Sequence, residues 1–160
     1  MKTIIGVLLV LVALTTIASA RIGETEDEIS ARYGQSIGDI STEAFGKVRG
    51  FMSMNYVVAV KLIDGRSQME MFSKNNQSDL SAIEIEKLLR ENGGGEWKAE
   101  LITGKPVWRR WRREDGALVA LYDAGRHFLY INSKQFYEDQ GKKIEASEAR
   151  QGAAASKPPK

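Results

Sequence analysis

The run YVVAVKLIDGRSQMEMF, from Tyr56 to Phe72, constrains this chain more than any other stretch. Two β-rich arms flank Asp64-Gly65, a pair suited to the type I′ turn because both central residues of that turn take positive φ. A tight turn sets Ile63 against Arg66, Leu62 against Ser67, Val60 against Met69 and Val58 against Met71. Side chains alternate along a strand. One face of the hairpin would then carry Tyr56, Val58, Val60, Leu62, Met69 and Met71. The other would carry Lys61, Arg66, Gln68 and Glu70 with Val57, Ala59, Ile63 and Phe72. A slip of one residue would put Met69 and Met71 among the charges, so the pattern favours one register. A lone hairpin is marginal in water, and its apolar face needs a cover.

The segment after Leu80 can supply that cover. Ser81 at the N-cap and Glu84 three residues on form a capping box, with Leu80 and Ile85 in the staple positions. Ala82, Ile85, Leu88 and Leu89 share one helical face, and Asn92-Gly93-Gly94-Gly95 ends the helix. The glycine run is not a phosphate loop, because it follows a helix and no Lys-Ser or Lys-Thr comes after it. An earlier helix starts at the Thr25/Glu28 capping box and stops at Gly34 after Tyr33. Its first-turn acids read as cap and dipole partners, not as a cation site.

The remaining elements follow from alternation and turn residues. Gln35 to Gly46 reads as a loop and Lys47 to Ser53 as a strand turning at Met54-Asn55. Trp97 to Ile102 reads as a strand. Val107 to Glu114 and Ala117 to Tyr122 are the arms of a second hairpin around Asp115-Gly116. His127 to Ile131 is another strand, and Ser133 caps a short last helix. The expected class is α+β: an antiparallel sheet built from two Asp-Gly hairpins, covered on one face by the helix from Ser81 to Glu91, with short N- and C-terminal helices. The order strand, Asp-Gly, strand, Ser-capped helix occurs twice. It fits a diverged duplication, and antiparallel meanders also produce it unaided.

Met1-Lys2-Thr3, the apolar run from Ile4 to Ile17, and Ala18-Ser19-Ala20 have the form of a secretory signal peptide cleaved after Ala20. The run is short for a membrane span of about 20 residues. The expected division is a signal peptide at 1–20, one domain at 21–141, and a disordered tail at 142–160 rich in Ala, Ser, Lys and Pro. Export places the mature chain in the periplasm or outside the cell, without a stable membrane span. The chain has no cysteine, so disulfides, cysteine lipidation and thiolate chemistry are excluded. The net charge is +2. With the basic tail set aside the body is slightly acidic, so net charge does not make the domain a polyanion binder.

The most unusual stretch is Trp108-Arg109-Arg110-Trp111-Arg112-Arg113. As a strand it sets Arg109, Trp111 and Arg113 on one face and Trp108, Arg110 and Arg112 on the other. Arginine forks and tryptophan faces suit a phosphate or carboxylate polymer. Arginine stems lying over tryptophans on a half-exposed sheet explain the same residues, with Asp123 and Glu114 as facing acids and Lys105 nearby. His127 is the sole histidine. No Gly-x-Ser-x-Gly elbow accompanies it, and one histidine without cysteine leaves a zinc site to carboxylates. No carboxylate pair stands out for glycosidase-type work. Trp97 and the Met52, Met54, Met69 and Met71 group read as core filling.

Gly23-x-Thr25-x-x-Glu28-Ile29, followed by Tyr33-Gly34 and strands, resembles the opening of SmpA/OmlA-type envelope domains. That resemblance implies a helical N-terminal part before a three-stranded antiparallel sheet. The chain departs from the pattern in lacking the lipidated cysteine and the proline after the glycine, where Ser36 stands nearby. The departure argues against a role in outer-membrane assembly. The whole mature chain is similar to small exported bacterial proteins with no assigned activity, which implies an address and a fold class. The functional expectation is an exported, non-catalytic domain that binds a protein or envelope component, with no catalytic residue, cofactor or metal. The alternatives are polyanion binding through Trp108 to Arg113 and a carboxylate-dependent hydrolase.

Overall fold

The computed structural model describes residues 21–42, 44–102, 104 and 107–155, with side chains described as far as residue 144. The segment 1–20 read as a signal peptide, Lys105 and residues 156–160 lie outside the described residues. Eight strands form one antiparallel sheet in the order β1-β2-β3-β4-β8-β7-β6-β5. Their bounds are β1 Gly38–Thr42, β2 Gly46–Ser53, β3 Tyr56–Ile63, β4 Arg66–Lys74, β5 Trp97–Glu100, β6 Trp108–Arg113, β7 Leu118–Asp123 and β8 Phe128–Ser133. Helix α1 (Glu26–Tyr33) precedes the first four strands and α2 (Ala82–Gly93) the second four, and α3 (Lys134–Ala155) follows β8. The sheet is thus two helix-led, four-stranded meanders joined edge to edge where β4 pairs with β8. The repeating unit opens with its helix. Among the described residues no helix is long and apolar enough to cross a membrane.

Turn chemistry sets the strand pairs. At Asp64-Gly65 both residues take positive φ, 51° and 73°, and Ile63 pairs with Arg66 across the turn. The second Asp-Gly bends differently. Gly116 donates its N–H to the Arg113 carbonyl at 2.8 Å and takes φ 71°, while Asp115 stays out of the left-handed region. The starts of α1 and α2 carry full capping boxes, Thr25 with Glu28 and Ser81 with Glu84, which satisfy N–H groups that the first turn leaves free.

The β3–β4 register departs from the plain alternation. A bulge lies beside Lys61/Leu62, so Val60 faces Glu70 and Val58 faces Phe72. An extra residue on one strand moves everything beyond it to the opposite face. Phe72 and Glu70 therefore turn toward α1 and α2, while Met69 and Met71 turn to the opposite face. Val58, Val60 and Phe72 enter one core cluster with Phe51, Ile29 of α1, Ile85, Leu88 and Leu89 of α2, and Leu129 and Ile131 of β8. A second cluster lies on the other face, where Val48, Ala59, Met69 and Tyr130 pack with Phe136 of α3 and half-buried Phe45, Trp108 and Leu121.

The inward Glu70 does not sit among apolar groups alone. Arg32 Nη2 lies 2.7 Å from its Oε1, and the Tyr33 hydroxyl donates to its Oε2 at 2.8 Å. Arg32 also pairs with Glu24 and donates to Asn92 Oδ1 at 2.9 Å. Burial and the neighbouring carboxylate push the Tyr33 phenol well above its usual range.

Two expected elements differ in kind. The segment expected as a loop from Gln35 to Gly46 contains β1, held to β2 with Ile40 opposite Val48. The last helix is 22 residues long instead of short, and it continues past Lys142 into the stretch read as a tail.

Candidate functional site

Strand β6 distributes its arginines to separate places. On the helix side, half-buried Trp111 packs against the main cluster. Arg113 reaches from the same side to α2, where Nη1 donates to the Gly93 carbonyl at 2.6 Å. Its other nitrogens bind Asp115 in a fork, at 2.8 and 2.6 Å, and hold that carboxyl below its usual range. Arg109 is exposed and forms no hydrogen bond or ion pair with any described residue.

On the opposite side Arg110 and Arg112 share one acid. Arg112 Nε donates to Glu100 Oε1 at 2.9 Å. Arg110 Nε lies 2.7 Å from Glu100 Oε2, but the two atoms are buried and misaligned for a hydrogen bond. The Arg112 hydrogen bond first, and the charge of both guanidiniums, lower the Glu100 carboxyl. Pairing across the β5–β6 ladder sets this up, since Glu100 is opposite Arg110. The six residues Trp108 to Arg113 do not converge on one surface. Three of the four arginines already hold carboxylates.

Beside Arg110 the second sheet face opens into a groove of about 710 Å³ under α3. Trp108, Leu121, Phe45 and Ile102 form its apolar wall. Tyr130 and Asn132, neighbours on one side of β8, form its floor and are 7% and 4% exposed. Tyr137 of α3 lies across from Arg110, with its hydroxyl 3.4 Å from Arg110 Nη1. Asn132 spends its amide N–H on the Val119 carbonyl at 3.3 Å. Its carboxamide oxygen and the Tyr130 hydroxyl form no hydrogen bond with any described residue. Burial pushes the Tyr130 phenol up to about 12.

His127 has partners that its sequence neighbourhood does not mark. It takes φ 61°, and its Nδ1 lies 2.6 Å from Asp79 Oδ1. The same oxygen accepts from the Tyr122 hydroxyl at 2.8 Å, and Tyr122 accepts from Leu80 N–H at 3.1 Å. The His127 contact first, and then the Tyr122 hydrogen bond, lower the Asp79 carboxyl. Among the described residues no hydroxyl is bonded to the other ring nitrogen of His127, and no group of three or more His, Cys, Asp or Glu could hold a metal ion.

Trp97 packs on the main cluster and donates to the Leu89 carbonyl at 3.1 Å. The methionines divide. Met69 is wholly buried, whereas Met52 and Met54 are 51% and 91% exposed. Sequence reasoning missed Glu100, Tyr130, Asn132 and Tyr137. The alternation of β8, with Tyr130 and Asn132 two apart, was the available signal for the floor. Nothing local pointed to α3 as the opposite wall.

No protein-family model matches the chain, and no curated protein matches it. Among solved structures it is similar to a cysteine-rich secretory protein of Staphylococcus aureus subsp. aureus Mu50. That match has 9% identity and a TM-score of 0.40, and covers 72% of this chain and 46% of the other.

Proposed function

We propose that the chain is an exported, non-catalytic binding domain whose site is the groove between α3 and the second sheet face. One observation carries this reading: two nearly buried polar side chains, Tyr130 and Asn132, line an apolar groove with an oxygen left unbonded. Both oxygens open onto the groove and are not sealed off inside the protein, so they offer hydrogen-bonding groups to a ligand that enters it. The volume falls within the range of about 300–1,000 Å³ usual for small-molecule sites. In this reading the two Asp-Gly hairpins and the helices over the first face are the scaffold. The arginine-tryptophan strand supplies Trp108 and Arg110 to the groove and has no separate polyanion role. The signal-like start of the chain supports export.

The test is a backbone amide NMR titration of the purified chain with aqueous and organic extracts of the envelope fraction. Shifts concentrated at Trp108, Leu121, Tyr130 and Asn132 are expected. Shifts confined to residues outside the groove, or none with any extract, would overturn the reading. Export is checked separately by mass spectrometry of the exported protein, which is expected to begin at Arg21.

A further inference from the structure

The groove sets one guanidinium, that of Arg110, among mostly apolar lining residues. Beside the groove Arg110 and Arg112 face the single carboxylate of Glu100, so two guanidiniums meet one acid. Arg110 Nη2 forms no bond with any described residue, and Nη1 has only the long 3.4 Å contact with Tyr137. The acid on the rim, Glu138, lies 3.9 Å from Lys134 Nζ, which offsets its charge. Gln140 is neutral. The excess around Arg110 is positive, and its free groups are donors.

Much of the remaining wall is hydrocarbon. Phe45, Leu121 and Ile102 carry no polar side-chain atom, and Trp108 offers a ring face. The α3 residues along the groove run from Tyr137 to Ile144, two helical turns or about 10 Å. That is the reach of a chain and longer than a single ring. A guanidinium with free in-plane donors prefers a carboxylate, which it can bind in a fork.

Resting on the binding-domain reading, we infer that the groove takes a single-chain carboxylate, with the acid on Arg110 and the hydroxyl of Tyr137 and the acyl chain along Trp108, Leu121 and Ile102. Binding leaves the Arg112–Glu100 hydrogen bond in place, because the ligand uses only the outer nitrogens of Arg110.

The test compares three probes of equal chain length, decanoate, decanol and decyltrimethylammonium, each titrated into the purified chain below its self-association concentration. Tryptophan fluorescence and amide shifts are the readouts. Decanoate is expected to saturate at one per chain with shifts at Trp108, Leu121 and Tyr130. Decanol should bind at least tenfold more weakly, and decyltrimethylammonium should not saturate. Arg110→Met should weaken decanoate at least tenfold and leave decanol unchanged. Tyr137→Phe removes one hydroxyl from the rim and should weaken decanoate a few-fold, which keeps the inference testable if Arg110→Met does not fold. Equal affinity for decanoate and decanol overturns the carboxylate and leaves the binding domain standing. Absence of any decanoate effect, when envelope extract does shift the groove, also overturns the inference alone. Failure of both probe and extract removes the broader reading with it.

Discussion

Arg32 of α1 and Glu70 of β4 meet at 2.7 Å within the fold, and the Glu70 side chain is wholly shielded from water. The β3–β4 bulge turns this carboxylate inward, and α1 brings the guanidinium to it. Removing one partner of a buried pair leaves the other charged and unsolvated, which costs about 3–5 kcal/mol. Glu70→Ala is therefore expected to lose that much in urea unfolding. Replacing both, as Arg32→Met with Glu70→Leu, should recover a large part of the loss, because no charge is then stranded. A Glu70→Ala variant within about 1 kcal/mol of the parent would contradict the arrangement.

Gly93 at the end of α2 gives a second test, in which sterics and helix propensity have opposite signs. Alanine in a helix is ordinarily better than glycine by about 1 kcal/mol. A Cβ at Gly93, however, would fall on the Trp97 ring, 2.8 Å from Cε2 and 3.0 Å from Nε1. That ring is packed on the core and tied to the Leu89 carbonyl, so it cannot swing aside freely. Overpacking of this kind costs about 1–3 kcal/mol. Gly93→Ala should lower the melting temperature and shift Trp97 emission. A rise in stability would show that the ring yields.

Glu84 gives a pH dependence with a definite sign. Its carboxylate is 2.8 Å from Lys74 Nζ and accepts from the Ser81 backbone N–H at 2.8 Å. The Lys74 contact and then the Ser81 bonds hold it down to about 2 from an ordinary 4.5. A depressed carboxyl stabilises the fold above its unfolded pKa, and that contribution disappears as pH falls toward the folded value. Melting temperature should therefore drop between about pH 4.5 and pH 2. Glu84→Gln keeps an acceptor for Ser81 but lacks the ion pair with Lys74, and it should flatten this part of the profile. An unchanged profile in the variant would assign the acid sensitivity to other groups.

The parts of the fold that local chemistry fixes were legible in the sequence. Thr25 with Glu28 and Ser81 with Glu84 are capping boxes in sequence and in space, because a cap involves only residues three apart. The facing of Trp111 with Ala120 and of Arg109 with Tyr122 follows from counting outward from Asp115-Gly116. The same counting failed from Asp64-Gly65, where the bulge exchanges Glu70 and Phe72 for Met69 and Met71. A bulge is decided by what each face must bury. Glu70 is turned inward toward Arg32, a partner 38 positions away. Strand β1 was hidden for a related reason. Its residues GDIST include only one large apolar side chain, and pairing with β2 supplies what alternation does not. The groove depends on α3 crossing the second face, and no local pattern announces such a crossing.

The pairing of β6 with β5 carries a prediction about polyanions. Binding to duplex DNA weakens with salt, at a log–log slope of about −0.9 for each phosphate neutralised. Arg110 and Arg112 are engaged by Glu100 and Arg113 by Asp115, which leaves Arg109 as the arginine of β6 without a carboxylate among the described residues. A slope no steeper than about −1 is therefore expected, and Arg109→Ser should remove most of it. Arg113→Ser should change stability more than binding, since it releases both Asp115 and the Gly93 carbonyl. Hydrogen bonds to charged groups contribute about 1.5–3 kcal/mol, so a clear loss in the unfolding midpoint is expected. A steep slope that collapses when Arg110, Arg112 and Arg113 are changed together, with folding intact, would instead make β6 a polyanion surface and displace the groove as the binding site.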